Sequence, residues 1–409
     1  LFNQINDIHL KAGIELQGDD DTKTHFIQGG LRLRHEQFDD RLNEWERIDS
    51  AGYSLPYSET EVLLDQVIKS ENDISSLKYT AYLQDSYTSI GDEDQELKLT
   101  IGTRLSYWDL NDDFNISPRF QLLYKPSGER DISYKLAGGV YYQTPFYREL
   151  RRLDGSLNTQ VQAQRSTHLV AGLTRDFIWE KISDRPFRFI AEAYYKSFSD
   201  LISYDIDNVR IRYRGENDAT GWAVGLDMRL NGEFVPGAES WINLSFLRVR
   251  ESLDDVQHQR FDSDAGAFVN VGQVPRPSDQ FMYFSMFFQD YLPRNENIKV
   301  NLTLTFGGGL PFGLPQDNDV VRNTFRFADY RRVDMGFAIQ LWNEDWRERK
   351  PRHIFRGMRN SWISLEVFNL MGIENVSSNT WVRTIAQQQF AVPNKLTTRR
   401  LNLKYRVEF

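Results

Sequence analysis

The residues best equipped for chemistry form a knot of rings and guanidinium groups between Thr144 and Gln164: Phe146, Tyr147, Arg148, Arg151 and Arg152. Aromatic faces stack on flat or cationic ligands, and arginines grip anionic oxygens through paired N–H donors. Tyr141 and Trp108, a little earlier in the chain, extend the set. This is equipment for holding a ligand rather than for breaking a bond. A solvated loop, or one resting against anionic lipid phosphates, is the plainer use of the same residues.

Nothing else in the chain competes as a chemical centre. The acidic runs Asp19-Asp20-Asp21 and Asp92-Glu93-Asp94 carry the oxygen ligands that calcium takes, but not the spacing of a calcium loop, and read as solvated turns. Gly307-Gly308-Gly309 lacks the lysine and the strand-to-helix setting of a phosphate cradle, so it reads as a strand end opening into a loop. The histidines His9, His25, His35, His168, His258 and His353 share no ligand spacing, and no Ser/His/Asp set is discernible. With no cysteine there is no thiolate nucleophile and no disulfide. No enzyme, metal site or cofactor is therefore expected. A net charge of −9 argues against nucleic acid, which calls for a basic stripe.

The elements that must position these residues announce themselves by a period of two. Leu401, Leu403, Tyr405, Val407 and Phe409 alternate with Arg400, Asn402, Lys404, Arg406 and Glu408, putting an apolar face on one side of a strand and charge on the other. Leu97, Leu99, Ile101 and Leu105 repeat the pattern, as do Ile298 to Phe306 and Val333 to Leu341. These runs are longer than the usual strand of about 5 to 6 residues and match the ~9 to 11 residues of a tilted membrane-crossing strand. The mean hydropathy of −0.55 excludes transmembrane helices without excluding a barrel, whose strands are half polar. The 19 Tyr and 9 Trp suit the aromatic girdles of such a wall. The fold class expected is all-β, a transmembrane antiparallel β-barrel in an outer membrane, with the apolar side chains Leu99, Val300, Phe337 and Leu403 turned outward.

Fifteen strands are expected, at 4–17, 24–38, 75–90, 94–108, 112–124, 131–143, 165–180, 186–206, 208–231, 239–251, 279–291, 297–308, 328–342, 360–378 and 398–409. Short turns rich in Gly, Pro, Asp and Asn occupy one set of joints, and longer loops such as 39–74, 144–164, 252–278, 309–327 and 383–397 the other. Short turns belong on the periplasmic rim and long loops outside. Two outer links, near Asn111 and Asp207, are short for this rule, and the inner link from Asn343 to Asn360 is long and basic; its run Arg347 to Arg359 suits phospholipid headgroups and equally a plain solvated turn. An odd number of strands whose first and last run the same way cannot close an antiparallel barrel, so an upstream portion is expected to supply the remaining wall.

Ser117-Pro118-Arg119-Phe120-Gln121-Leu122-Leu123-Tyr124, followed by Tyr134 to Tyr142 and by Gln143-Thr144-Pro145-Phe146-Tyr147-Arg148-Glu149-Leu150, resembles the barrel of TonB-dependent outer-membrane receptors. Ala191 to Tyr204, with its Ser199-Asp200-Leu201-Ile202, Asn217 to Leu230, and Ile363 to Leu370 with Asn369-Leu370 are similar to the same family in the same order. Met371-Gly372 depart from an aromatic-Asp pair common in the family. The resemblance implies that residues 1–409 are part of a barrel of about 22 strands, its N-terminal plug and first strands lying elsewhere. It implies import of a scarce, bulky ligand, with TonB acting through the N-terminal region and outer-membrane lipid around the wall. A second expectation keeps the barrel as a structural subunit of a secretion or assembly complex, with surface lipoproteins or other subunits as partners. The lumen-facing residues Arg104, Trp108, Lys135, Tyr141, Arg210, Arg212 and Arg229 are then expected to pair with a plug or with acidic neighbours such as Asp227 and Glu192.

Overall fold

In the computed structural model the described residues are 2–18, 22–47, 60, 64–91, 95–128, 130–207, 210–235, 237–292, 295–314, 319–349, 352–383 and 389–409. The two acidic runs lie outside them. One antiparallel sheet dominates, each strand paired to the next along the chain. Its first ten strands are β1 (Phe2–Gln17), β2 (Lys23–Arg47), β3 (Leu64–Ile90), β4 (Glu96–Trp108), β5 (Asp113–Lys125), β6 (Ile132–Gln143), β7 (Gln164–Ile178), β8 (Pro186–Asp207), β9 (Arg210–Val235) and β10 (Ala238–Leu253). Met282–Leu292, Asn295–Gly307, Tyr330–Trp342, Asn360–Phe368 and Arg400–Glu408 complete it, and Val274–Pro275 adds a short pairing on β10. Fifteen strands thus follow one another in the expected order. The first and last of them pair on one side only among the described residues.

The period of two fixes which side chains face out. Paired positions carry one face across the sheet, so Leu83, Thr103 and Pro118 share a side, as do Leu31 and Ala81, and Val300 and Phe337. Phe337 is 42% exposed and Leu403 70%, while Leu99 and Val300 are half-buried. None of these four lies in a dry interior. A face of Leu, Ile, Val and Phe left open to the surroundings is stable only against hydrocarbon, and rings bracket it. Tyr79 and Tyr107, 6.1 Å apart, and Phe114 stand level with the outer link between β4 and β5. Tyr87, Tyr124, Tyr134 and the Phe177–Phe187 pair, 6.0 Å apart, stand towards the short-turn ends.

The long-loop rim departs from expectation, because the strands outrun the lipid-facing band. Asp39–Arg47 and Leu64–Asp73 continue the β2–β3 ladder into what the sequence suggests is loop, and β8 and β9 pair as far as Asp207 and Arg210. Backbone pairing continues where water, not lipid, surrounds it, since the ladder satisfies its own N–H and C=O groups in either solvent. The outer loops carry hairpins of their own: Gln259–Asp262 with Ala267–Asn270, Pro311–Phe312 with Phe325–Arg326, and Val376–Arg383 with Gln389–Lys395. The expected strand 360–378 stops at Phe368, because Asn369 (φ 52°) and Gly372 (φ 66°) turn the chain there. The basic inner link folds as a short helix, Glu344–Arg349, and a 3₁₀ turn, Ile354–Gly357.

Candidate functional site: the loop-covered mouth

The loop 144–163 leaves β6 and crosses the concave side of the sheet instead of standing up from the rim. Its entry is held locally. Phe146 donates its backbone N–H to Glu149 Oε2 (3.1 Å), closing a helical turn α1 (Tyr147–Leu150), and Glu149 also accepts from Gln164 Nε2 (3.0 Å). Burial pushes the Glu149 carboxyl above its ordinary range, against the pull of those two donors.

From α1 outward the loop is fastened on two sides. Towards β2 and β3, the Tyr147 hydroxyl donates to Asp40 Oδ2 (2.5 Å) and Arg151 Nη1 donates to the same oxygen (3.2 Å), while Asn72 Nδ2 reaches the hydroxyl at 3.4 Å. Towards β9, Arg152 pairs with Glu216 (3.1 Å) and Asn158 Nδ2 donates to Gly215 O (2.9 Å). Beneath lies an apolar cluster of Ile74, Trp108, Tyr147, Leu150, Val161 and Ile202, with Phe38 stacked on Tyr147 at 5.4 Å. The tip turns at Gly155 (φ 88°), where an added Cβ would come within 2.7 Å of Ile68 Cγ2 on β3. Burial, and then the carboxylate of Asp40, push the Tyr147 hydroxyl up to about 12, so it stays a donor at neutral pH. Above this lid the strand extensions meet directly: Glu44 on β2 pairs with Arg210 (3.2 Å) and Arg212 (2.9 Å) on β9.

A second set of ties binds the later loops. Arg322, almost fully buried, donates Nε to Glu251 (2.9 Å) and also pairs with Asp205; Arg214 donates Nη1 to Asp319 (2.8 Å). Burial lowers the Arg322 guanidinium, and Asp205 and Glu251 more than reverse this and raise it. Arg214 holds the Asp319 carboxyl below its usual range. Asp279, fully buried, gathers Arg250 (3.3 Å) and Arg326. Ionic groups taken out of water persist only when paired in this way.

The candidate ligand residues therefore divide. Tyr147 and Trp108 are 5% and 3% exposed and belong to the packing under the lid, with Lys78 Nζ 4.6 Å above the Trp108 ring. Arg151 is engaged with Asp40, and Arg152 with Glu216. Phe146, 44% exposed with its edge against Tyr213 at 5.4 Å, and the exposed Arg148 face solvent. Tyr141 lies deeper on the wall, between His168 (ring centroids 4.5 Å) and Arg119 (5.7 Å). Of the wider lumen-facing set, Lys135 pairs with Glu192, and Arg210 and Arg212 with Glu44 rather than with Asp227. Asp40, Glu44, Asp205, Glu251, Asp279, Asp319 and Arg322 carry no local sequence signal, since their partners lie far away along the chain.

The segments that carry the resemblance turn out to shape strand ends. Asp200 (φ 55°) makes the bulge in β8, its carbonyl accepting from Asn217 Nδ2 (2.7 Å), and Ser203 donates to Asp218 through backbone N–H (2.9 Å) and hydroxyl (2.6 Å). The side chain of Asn369 binds the backbone of Ile373 from both its oxygen (3.1 Å) and its nitrogen (2.9 Å).

A family profile described as TonB dependent receptor-like, beta-barrel, matches residues 4–370. No curated protein sequence matches the chain. Among solved structures it is similar to the outer membrane transporter YddB from Escherichia coli, at 14% identity and a TM-score of 0.61 over 98% of this chain and 54% of that one. A variant of the ferric enterobactin receptor of Pseudomonas aeruginosa in complex with enterobactin is similar at 14% identity and a TM-score of 0.62, over 98% and 54%. The ferric-catecholate import receptor Fiu from E. coli K12 follows at 12% identity and a TM-score of 0.60, again over 98% and 54%. The chain thus spans about half the length of these structures. A wall greasy outside and polar inside, crossed at its mouth by a fastened loop, and a profile match over most of its length place the chain in the TonB-dependent receptor-like β-barrel family of the outer membrane.

Proposed function

We propose that this barrel imports a bulky, scarce ligand, working with a plug and a TonB-contacting segment supplied upstream, and performs no covalent chemistry. The observation that carries the reading is the lid 144–163, tied at Asp40 on one side and Gly215 on the other, in a chain of receptor-barrel type. A lid fastened across a polar bore separates capture above from passage below. The ligand is met first by Phe146 and Arg148, and then by Tyr141 with Arg119 on the wall; a ring beside guanidinium groups favours a flat, anionic ligand.

Accumulation of ferric enterobactin, copper ion and cobalamin in cells making the full-length receptor, with and without TonB, tests the proposal. The expected result is that the bulky anion ferric enterobactin accumulates only when TonB is present, and that copper ion, small and cationic, does not accumulate. Replacing Phe146 and Arg148 together by Ala should then raise the half-saturating concentration of ferric enterobactin about tenfold, as for a pair of anchor residues at a binding surface. Uptake that ignores TonB, or no uptake together with stable, stoichiometric co-purification in an assembly complex, overturns the import reading in favour of a structural subunit.

A further inference from the structure

On the lipid-facing side of β2 and β3 two titratable residues stand where the pattern calls for apolar ones. His25 and Asp85 share the outward face with Ile27, Leu31, Leu83 and Leu99, as the cross-strand pairs His25 with Tyr87, Ile27 with Asp85 and Asp85 with Ile101 require. Their positions lie towards the short-turn end, Asp85 two residues from the girdle ring Tyr87. His25 Nδ1 contacts Asp85 Oδ2 at 2.8 Å, and the His25 ring leans on Tyr87 at 4.9 Å. Asp85 Oδ1 is shielded and has no hydrogen-bond partner. A crevice of about 340 Å³, lined by His25, Asp85, Tyr87, Leu99 and Ile101, opens beside them to the surroundings. A carboxylate on a hydrocarbon-facing wall is costly, and Asp85, its side chain 42% exposed, has room for a second donor at Oδ2 beside His25.

We propose that this crevice seats the head group of an inner-leaflet phospholipid bearing a primary ammonium. The ammonium donates to Asp85 Oδ2, the carboxylate oxygen that lies open beside His25. The His25 ring, held against Asp85 Oδ2 through Nδ1, presents its other ring nitrogen to the phosphate. Tyr87, Leu99 and Ile101 receive the glycerol and the first methylenes of the acyl chains. The ammonium is the group that the Asp85 carboxylate recognises, and a singly anionic lipid lacks it. Short turns face the periplasm in this architecture, so the lipid comes from the inner leaflet. The site lies on the opposite surface from the bore, and its existence does not depend on import.

Native mass spectrometry of the full-length receptor, exchanged in detergent against phosphatidylethanolamine, its N-acetylated form or phosphatidylglycerol, tests the assignment. Retention of phosphatidylethanolamine should exceed that of the other two by about fivefold or more, since only it offers both charges. Asp85→Asn should abolish that preference, and His25→Gln should weaken it, with heat-modified gel mobility reporting that the barrel is folded. If wild type retains phosphatidylethanolamine and its N-acetylated form equally, the ammonium is not read and the proposal falls, whether or not the variants fold. A folded Asp85→Asn variant that keeps the preference overturns it as well, by placing the lipid elsewhere.

Discussion

Tyr147→Phe removes one oxygen and leaves the ring, so it isolates the tie that fastens the lid to β2. The Phe ring keeps the stack on Phe38 and the contacts with Ile74, Trp108, Leu150, Val161 and Ile202. What disappears is a 2.5 Å hydrogen bond to a carboxylate that is itself nearly buried, together with the long contact from Asn72. A hydrogen bond to a charged group contributes about 1.5 to 3 kcal/mol. Asp40 still accepts from Arg151, so it is not orphaned, and a loss of about 2 kcal/mol is expected. That corresponds to a roughly 30-fold increase in the opening constant of the lid. Hydrogen exchange on the receptor in detergent reads this directly. Asn158 N–H, bound to Leu150 O (2.8 Å), and Gly155 N–H, bound to Arg152 O (3.0 Å), should lose protection. Amides in the β6–β7 ladder, such as those pairing Leu136 with Ala171, should not change. A change in the opening constant below about threefold, or equal deprotection of the ladder, would refute the reasoning that this bond holds the lid locally.

Other consequences follow from the same contacts. Because the folded-state pKa of Tyr147 is raised from 10 to about 12, its contribution is complete below pH 10 and is lost as pH rises to 12; a wild-type minus Tyr147→Phe absorbance titration should show a phenol ionising near 12, and a midpoint at 10 would contradict it. Gly155→Val forces a side chain onto Ile68 at a φ of 88°, so the loop tip should detach and become cleavable by added protease while the barrel keeps its gel mobility. Arg322→Met strips the fully buried Glu251 of its closest cation and should destabilise the outer loops by about 3 to 5 kcal/mol in a denaturant series, whereas a near-zero effect would mean that Arg276, 3.7 Å away, compensates. Leu83→Lys, midway between Tyr79 and Tyr87 on the outer face, should cost about 2 to 4 kcal/mol on urea unfolding, against under about 1 kcal/mol for Gln84→Lys on the opposite face.

The wall was legible residue by residue because a strand has a fixed period and its surroundings are uniform on each side. Leu97, Leu99 and Ile101 against Lys98, Thr100 and Gly102 suffice to place a strand, to choose its lipid face and, with the short turn expected from Gly91 to Asp94, to set its direction. The same reasoning misjudged where strands stop at the outer rim, since Asp39–Arg47 and Leu64–Asp73 mix polar and apolar residues on both faces, Leu42 beside Glu44 and Trp45 beside Asn43, and present no contrast once the lipid has ended. The residues of the loop 144–163 were recognised by type, but their duties were not. Type and spacing make Tyr147 a ring for a ligand; tertiary structure makes it the lid's fastening, because Asp40, 107 residues earlier, waits beneath it. His25 and Asp85 show the same limit, 60 residues apart in sequence and 2.8 Å apart in space.

The sequence by itself determined the fifteen strands of the wall, their order and their greasy and wet faces, for these are encoded in the alternation of neighbours and in short turns that leave adjacent strands no other partner. Only the tertiary structure decided which charges meet. Glu44 with Arg212, 168 residues apart, and Arg322 with Asp205, 117 apart, are brought together by the curvature of the whole sheet and the inward fold of its loops. An ion pair depends on separation in space, and no local pattern of residues specifies the distance between two points on a curved wall.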